Sequence, residues 1–126
     1  MILFVGDKPS AKNKDPEIAF VGTQSGKRLL SWVAHFEIDI NHVKWCNRAD
    51  LTWKKYGMGY LTIKGKTDVI FPEDKIVYLG VNAAKGGRKV NSFNLPHPSG
   101  LNRLLNDEEW LEGELNKCKE WLNDNS

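Results

Sequence analysis

The chain has 126 residues and a formal net charge of +2, enough for one domain around a single core. Two cysteines, Cys46 and Cys118, and no membrane-length apolar run or secretory leader argue against a disulfide scaffold, a four-cysteine metal cluster or a membrane span. They point instead to free thiols in a reducing, intracellular compartment. The charge is uneven: residues 1–103 carry +7 and residues 104–126 carry −5, so a basic body with an acidic terminal helix would meet a polyanion on one face.

Ile2 to Val5 is an apolar run ending in Gly6 and reads as a buried parallel strand. Gly6-Asp7-Lys8-Pro9-Ser10 forms a tight turn at its carboxyl end, and the lysine-rich stretch from Ala11 to Glu17 is a surface loop. After a short apolar patch, Ala19 to Gly22, the spacing predicts a helix capped by Thr23 or Ser25 and running to about Phe36. Leu29, Val33 and Phe36, with Leu30 and Trp32 beside them, mark its buried face. A second strand follows over His42 to Asn47, whereas Asp50 to Gly59 shows no clear pattern.

Tyr60 to Ile63 and Asp68 to Phe71 flank Lys64-Gly65-Lys66-Thr67 as a hairpin with a basic tip, broken by Pro72. Ile76 to Leu79 is a third strand of the parallel set, Ala83 to Gly87 at most a brief helical turn, and Val90 to Leu95 a fourth strand. The last helix is expected from Asn106, with Glu109 completing a capping box and Leu111, Leu115, Cys118 and Leu122 as its buried stripe. Strands alternating with crossovers imply an α/β fold, a three-layer α/β/α sandwich on a small, about four-stranded, mainly parallel sheet in a single domain over residues 1–126.

Such a sheet brings three polar loops to its carboxyl edge: Gly6–Ser10, Asn47–Asp50 and His97–Arg103. The last carries an imidazole that can be held neutral as a donor, a Pro98-Ser99-Gly100 turn, Leu101 as an apolar wedge of the kind that unstacks bases, and Arg103 for a phosphate. Plainer readings stand beside these: Asp7 as a turn cap, Phe20 as a core residue, Asn47 as the cap of a turn into Asp50.

Gly6-Asp7-Lys8-Pro9-Ser10 after a strand, with His97-Pro98-Ser99-Gly100-Leu101 near the end, resembles the uracil-DNA glycosylase superfamily. The nearest pattern is the group whose first motif reads Gly-Glu-Ala-Pro-Gly. Phe20-Val21-Gly22, Gly26, Leu29-Leu30 and the segment ending in Asn47 follow in the same order, so the likeness covers most of residues 2–48 and 76–105. It implies Asp7 and His97 as catalytic residues, the first positioning water and the second donating to a base carbonyl. It also implies Phe20 stacking on a flipped base, Asn47 reading the base's amide edge, Leu101 wedging into the duplex, and Ser99 and Arg103 holding phosphates, with Lys8 as a further DNA-binding residue. The sequence departs from the pattern in four ways: Lys8 puts a cation beside Asp7, Ser10 replaces a Gly, the group's cluster-binding cysteines are absent, and the chain is short. Such compactness would suit a viral enzyme.

The activity implied is hydrolysis of the N-glycosidic bond of uracil, or a related modified pyrimidine, in DNA. Such a reaction needs the base outside the stack. It requires neither metal nor cofactor, and the expected partner is uracil-containing or base-modified DNA, acted on by a monomer away from any membrane. Two other classes stay open: a DNA-binding module of the same fold without turnover, and a small α/β protein binding a free nucleotide through the same loops.

Overall fold

The computed structural model describes residues 1–7, 24–98 and 106–124. Four parallel strands form the centre: β1 (Ile2–Gly6), β2 (Val43–Asn47), β6 (Lys75–Leu79) and β7 (Ser92–Leu95), in the order β2-β1-β6-β7. β1 and β6 are the inner pair. Leu3, Phe4, Val5 and Ile76 to Leu79 are all buried, as strands covered on both faces must be.

The alternation of side chains sorts the core into two clusters. Phe4, Val43, Val77 and Leu95 face helices α1 (Gln24–Phe36) and α3 (Glu108–Leu122), meeting Leu29, Val33 and Phe36 from the first and Leu115, Cys118 and Leu122 from the second. Leu3, Val5, Cys46, Ile76 and Tyr78 face the other way. That face is covered by the one-turn helix α2 (Val81–Ala84) and by a three-stranded antiparallel sheet of β3 (Leu51–Trp53), β4 (Gly59–Ile63) and β5 (Lys66–Ile70). The α/β sandwich and its four parallel strands are as the sequence implies. The third layer, however, is a short helix plus a small sheet: the expected hairpin supplies β4 and β5, and the stretch without a clear pattern adds β3.

Local corrections have local causes. Leu30, placed beside the buried face, is 52% exposed. The last helix is capped by Asp107 rather than Asn106, because the Asp107 carboxylate accepts the Trp110 N–H at 3.0 Å. Ser25 lies inside α1, and Thr23 lies outside the described residues. Val90 is exposed and Asn91 turns through a left-handed φ of 51°, which shortens the fourth parallel strand to Ser92–Leu95. The β4–β5 hairpin closes through Lys64 and Gly65 alone, with φ of 48° and 78°, the two-residue turn whose twist suits paired strands.

Two cations tie the layers together. Lys75 Nζ donates to the carbonyls of Trp121, Leu122 and Asp124, ending α3 on β6, and lies 5.3 Å from the centre of the Trp121 ring. Arg88 is buried, with Nη1 2.8 Å from both Gly57 O and Phe71 O, Nη2 donating to Asp74 O, and its guanidinium over the Trp53 ring. Its own carbonyl accepts from Tyr78 Oη at 2.8 Å; burial pushes that phenol up to about 12. Arg88 thus fastens the three-stranded sheet to β6.

Replacing Arg88 by Ala strips donors from three partly buried carbonyls and should lower stability by about 3 kcal/mol, read from the midpoint of urea unfolding. Arg88→Lys should recover only part of this, because one ammonium cannot span the fork.

Candidate functional site

The strand order reverses between β1 and β6: the chain leaves β1 for β2 on one flank and builds β6 and β7 on the other. A crevice opens at the carboxyl ends of strands where this happens. Here it is a cavity of about 280 Å³ lined by Asp7, Leu79, Gly80, Val81, Asn82 and His97. Asp7 follows β1 directly, Gly80 to Asn82 follow β6, and His97 lies two residues past β7.

Each group is held by its neighbours. Arg48 Nη2 lies 3.3 Å from Asp7 Oδ1, and Arg48 Nη1 donates to Asn82 O at 3.1 Å. One guanidinium therefore links the ends of β1, β2 and β6. With both partners partly exposed, the ion pair contributes direction to the carboxylate more than stability. His97 rests on Gly80, whose φ of +99° strains any side chain and whose approach leaves little space for one: a Cβ there would lie 3.2 Å from His97 Cβ. The Gly80 N–H is itself fixed on Leu95 O at 2.8 Å. Next to His97, Pro98 is fully buried and its carbonyl accepts from Arg28 Nη1 of α1 at 3.3 Å.

Burial lowers the pKa of His97, and the nearby Asp7 carboxylate partly opposes this. The imidazole is therefore neutral at physiological pH and keeps one N–H to donate. A carboxylate and a neutral imidazole lining one cavity can stabilise a developing cation and a developing anion at opposite ends of a breaking bond.

Asn47 ends β2, opposite Gly6 in register, and is 5% exposed. Its N–H donates to Asp50 Oδ2 at 2.9 Å, which fixes the turn over Arg48–Asp50. Its side chain faces the Asp50 N–H in the reciprocal capping box of that turn, in line with the plainer reading of Asn47 as a cap, with Oδ1 buried and not at hydrogen-bond distance from a donor among the described residues. Asn47 is a strand's width from the cavity but does not line it. Lys8, Phe20, Ser99, Leu101 and Arg103 lie outside the described residues.

Reading the sequence missed Arg48, Asn82 and Gly80. Arg48 sits inside a loop already placed at the edge, and only its pairing with Asp7 was hidden; Gly80 was visible as a glycine closing an apolar strand. A more apolar groove of about 450 Å³ adjoins the cavity, sharing Gly80, Val81 and His97 and continuing over Leu95 and Pro96 to Trp110. Among the described residues no cluster of three or more His, Cys, Asp or Glu is placed to hold a metal ion. Cys46 and Cys118 are free and buried; burial holds both thiols well above their ordinary range. Nor is any helix among the described residues long and apolar enough to cross a membrane.

Compared with protein-family models, curated proteins and solved structures, the chain matches none. Fold and site together define an α/β protein with a carboxylate–imidazole cavity at the switch point of a parallel sheet.

His97 should titrate below its ordinary 6.5, and Asp7→Asn should take it lower still by removing the charge that favours the imidazolium. Proton NMR of the ring signals checks both. The unfolded chain binds this proton near 6.5, the folded chain only at lower pH. Stability should therefore be full above 6.5 and fall as the pH drops through that window.

Proposed function

We propose that the protein is a DNA glycosylase of the uracil-DNA glycosylase type, which hydrolyses the N-glycosidic bond of uracil or a related modified pyrimidine and leaves an abasic site. The observation that carries this reading is the convergence of Asp7 and His97, from opposite ends of the sequence, on one cavity at the switch point. The free, buried thiols suit an intracellular setting.

In this reading the target base leaves the stack and enters the carboxyl edge of the sheet. As the C1′–N1 bond breaks, its electron pair goes to the base, and negative charge collects on a base carbonyl oxygen. His97 donates its N–H there, which a neutral imidazole does without giving up its own proton. The sugar carries the complementary positive charge, which the Asp7 carboxylate, aimed by Arg48, offsets. Water adds to C1′ and loses a proton; the departing base ends protonated. No metal or cofactor takes part.

The resemblance casts Asn47 as the reader of the base's amide edge; its side chain takes part in the capping box of the Arg48–Asp50 turn and lies outside the cavity lining, so the reading rests on Asp7 and His97.

A labelled oligonucleotide containing one uracil, incubated with the protein and then cleaved by alkali at abasic sites, should be cut at that position. The cut should be lost in Asp7→Ala. In His97→Ala turnover should fall by about two to three orders of magnitude with DNA affinity largely kept. Binding without any cut, on single- or double-stranded substrate, would favour the module without turnover. Affinity for a mononucleotide but not for DNA would favour the nucleotide binder.

A further inference from the structure

The three-stranded sheet has two faces with different fates. Leu51, Trp53, Leu61, Ile63 and Ile70 point inward and pack on the parallel sheet. The opposite face is set by register: Thr52, Tyr60 and Val69 stand side by side across the three strands, and Thr62 and Thr67 form the next row, their hydroxyls 3.0 Å apart.

That outer face presents apolar and aromatic groups to solvent. Tyr60 is 38% and Val69 40% exposed; Phe71, in the outward position after β5, is 47% exposed. Tyr56, in the turn from β3 to β4, is 90% exposed and held at a left-handed φ of 61°. A bulky residue rarely adopts that backbone, which is disfavoured by about 1–2 kcal/mol. A ring so exposed returns nothing to the core, so its presentation serves something outside the fold.

The charge around the rings is mainly basic. Residues 51–74 contain Lys54, Lys55, Lys64 and Lys66 against Asp68, Glu73 and Asp74; Lys66 and Asp68 stand at the inward positions opposite Ile63 and Leu61, the Asp68 carboxylate is engaged by Lys44 at 2.7 Å, and Asp74 by the Met1 ammonium at 3.2 Å. Lys54 and Lys55 immediately precede Tyr56, and Lys64 stands at the hairpin tip. Exposed rings interleaved with lysines fit a polyanion that also offers flat π-faces. A folded protein partner would instead require an apolar core with little charge.

We infer that the outer face of the three-stranded sheet is a docking surface for single-stranded nucleic acid, whose bases stack on Tyr56, Tyr60 and Phe71 while Lys54 and Lys55 take phosphates. It is separate from the switch-point cavity and uses neither Asp7 nor His97. The face is also stiff: the Phe71 N–H is held by Asp74 Oδ2 at 2.8 Å, and its carbonyl by Arg88. Little ordering is therefore left to offset on binding.

The test is fluorescence anisotropy of a short labelled oligothymidylate without uracil, titrated with the full chain at several salt concentrations. Binding should weaken as salt rises. The Tyr56→Ala, Tyr60→Ala double variant should lose at least about tenfold in affinity, while Tyr60→Phe, which keeps the ring, should bind as the parent does. Lys54→Glu with Lys55→Glu should weaken binding and flatten its salt dependence, a second readout should the tyrosine variant not fold. His97→Ala should bind unchanged, so a failed glycosylase assay leaves this result standing. No binding by the parent chain, salt-independent binding, or equal affinity in the folded tyrosine variant would overturn the inference. So would a concentration-dependent dimer abolished by Tyr60→Ala, which would make a second copy the occupant.

Discussion

Arg88 is the constraint on which the layering depends. A guanidinium withdrawn from water is costly unless its donors are met; here the carbonyls of Gly57, Phe71 and Asp74 meet the two Nη groups and the Trp53 ring lies against the ion, while Nε is buried without a partner among the described residues. Those carbonyls belong to the β3–β4 turn and to the link between β5 and β6. One side chain therefore fixes where the three-stranded sheet begins its return and where it rejoins the parallel sheet. The Tyr78 hydroxyl holds Arg88's own carbonyl, and Gly87 suits its place because a Cβ there would collide with that hydroxyl. Without this arrangement the inner face of β1 and β6 would lack its cover.

The candidate site depends on the opposite edge in a similar way. Strand ends do not by themselves aim side chains, and here backbone and cation do it together. Gly80 lets the chain turn closely enough for His97 to rest on it, and Arg48 reaches across from β2 to hold both Asp7 and the Asn82 carbonyl. The cavity is thus walled by backbone on the β6 side and by an ion pair on the β2 side. Its imidazole stays neutral because burial outweighs the pull of the neighbouring carboxylate.

The parts legible in the sequence were those with a strong local signal. The apolar runs Ile2 to Val5 and Ile76 to Leu79 became the inner strands, and Leu29, Val33 and Phe36 the buried face of α1, because burial on both sides or on one stripe leaves a periodic trace. Convergence of Asp7 and His97 also followed, since parallel topology alone carries both to one edge. β3 was not legible. Its three residues are too short for periodicity, and what holds the strand is non-local: its pairing with β4, and Arg88, 35 positions beyond Trp53, over the Trp53 ring. Arg48 was invisible as a site residue for the same reason: its partner, Asp7, is distant in sequence and near only once β1 and β2 pair.

The two surfaces are linked through one short turn. β2 ends at Asn47, the turn Arg48–Asp50 follows, and β3 starts at Leu51, so the arginine that aims Asp7 lies three residues from the first strand of the outer sheet. Asp50 stiffens that turn by taking the Asn47 N–H. At the far end of the sheet Arg88 holds Gly57 and Phe71. A platform pinned at both ends by arginines cannot shift without disturbing either the core or the cavity wall. Interiors packed in this way transmit displacement rather than absorb it. The chain can therefore present a fixed exposed face beside a fixed polar cavity, because Arg88 sets the geometry of the first and Arg48 that of the second.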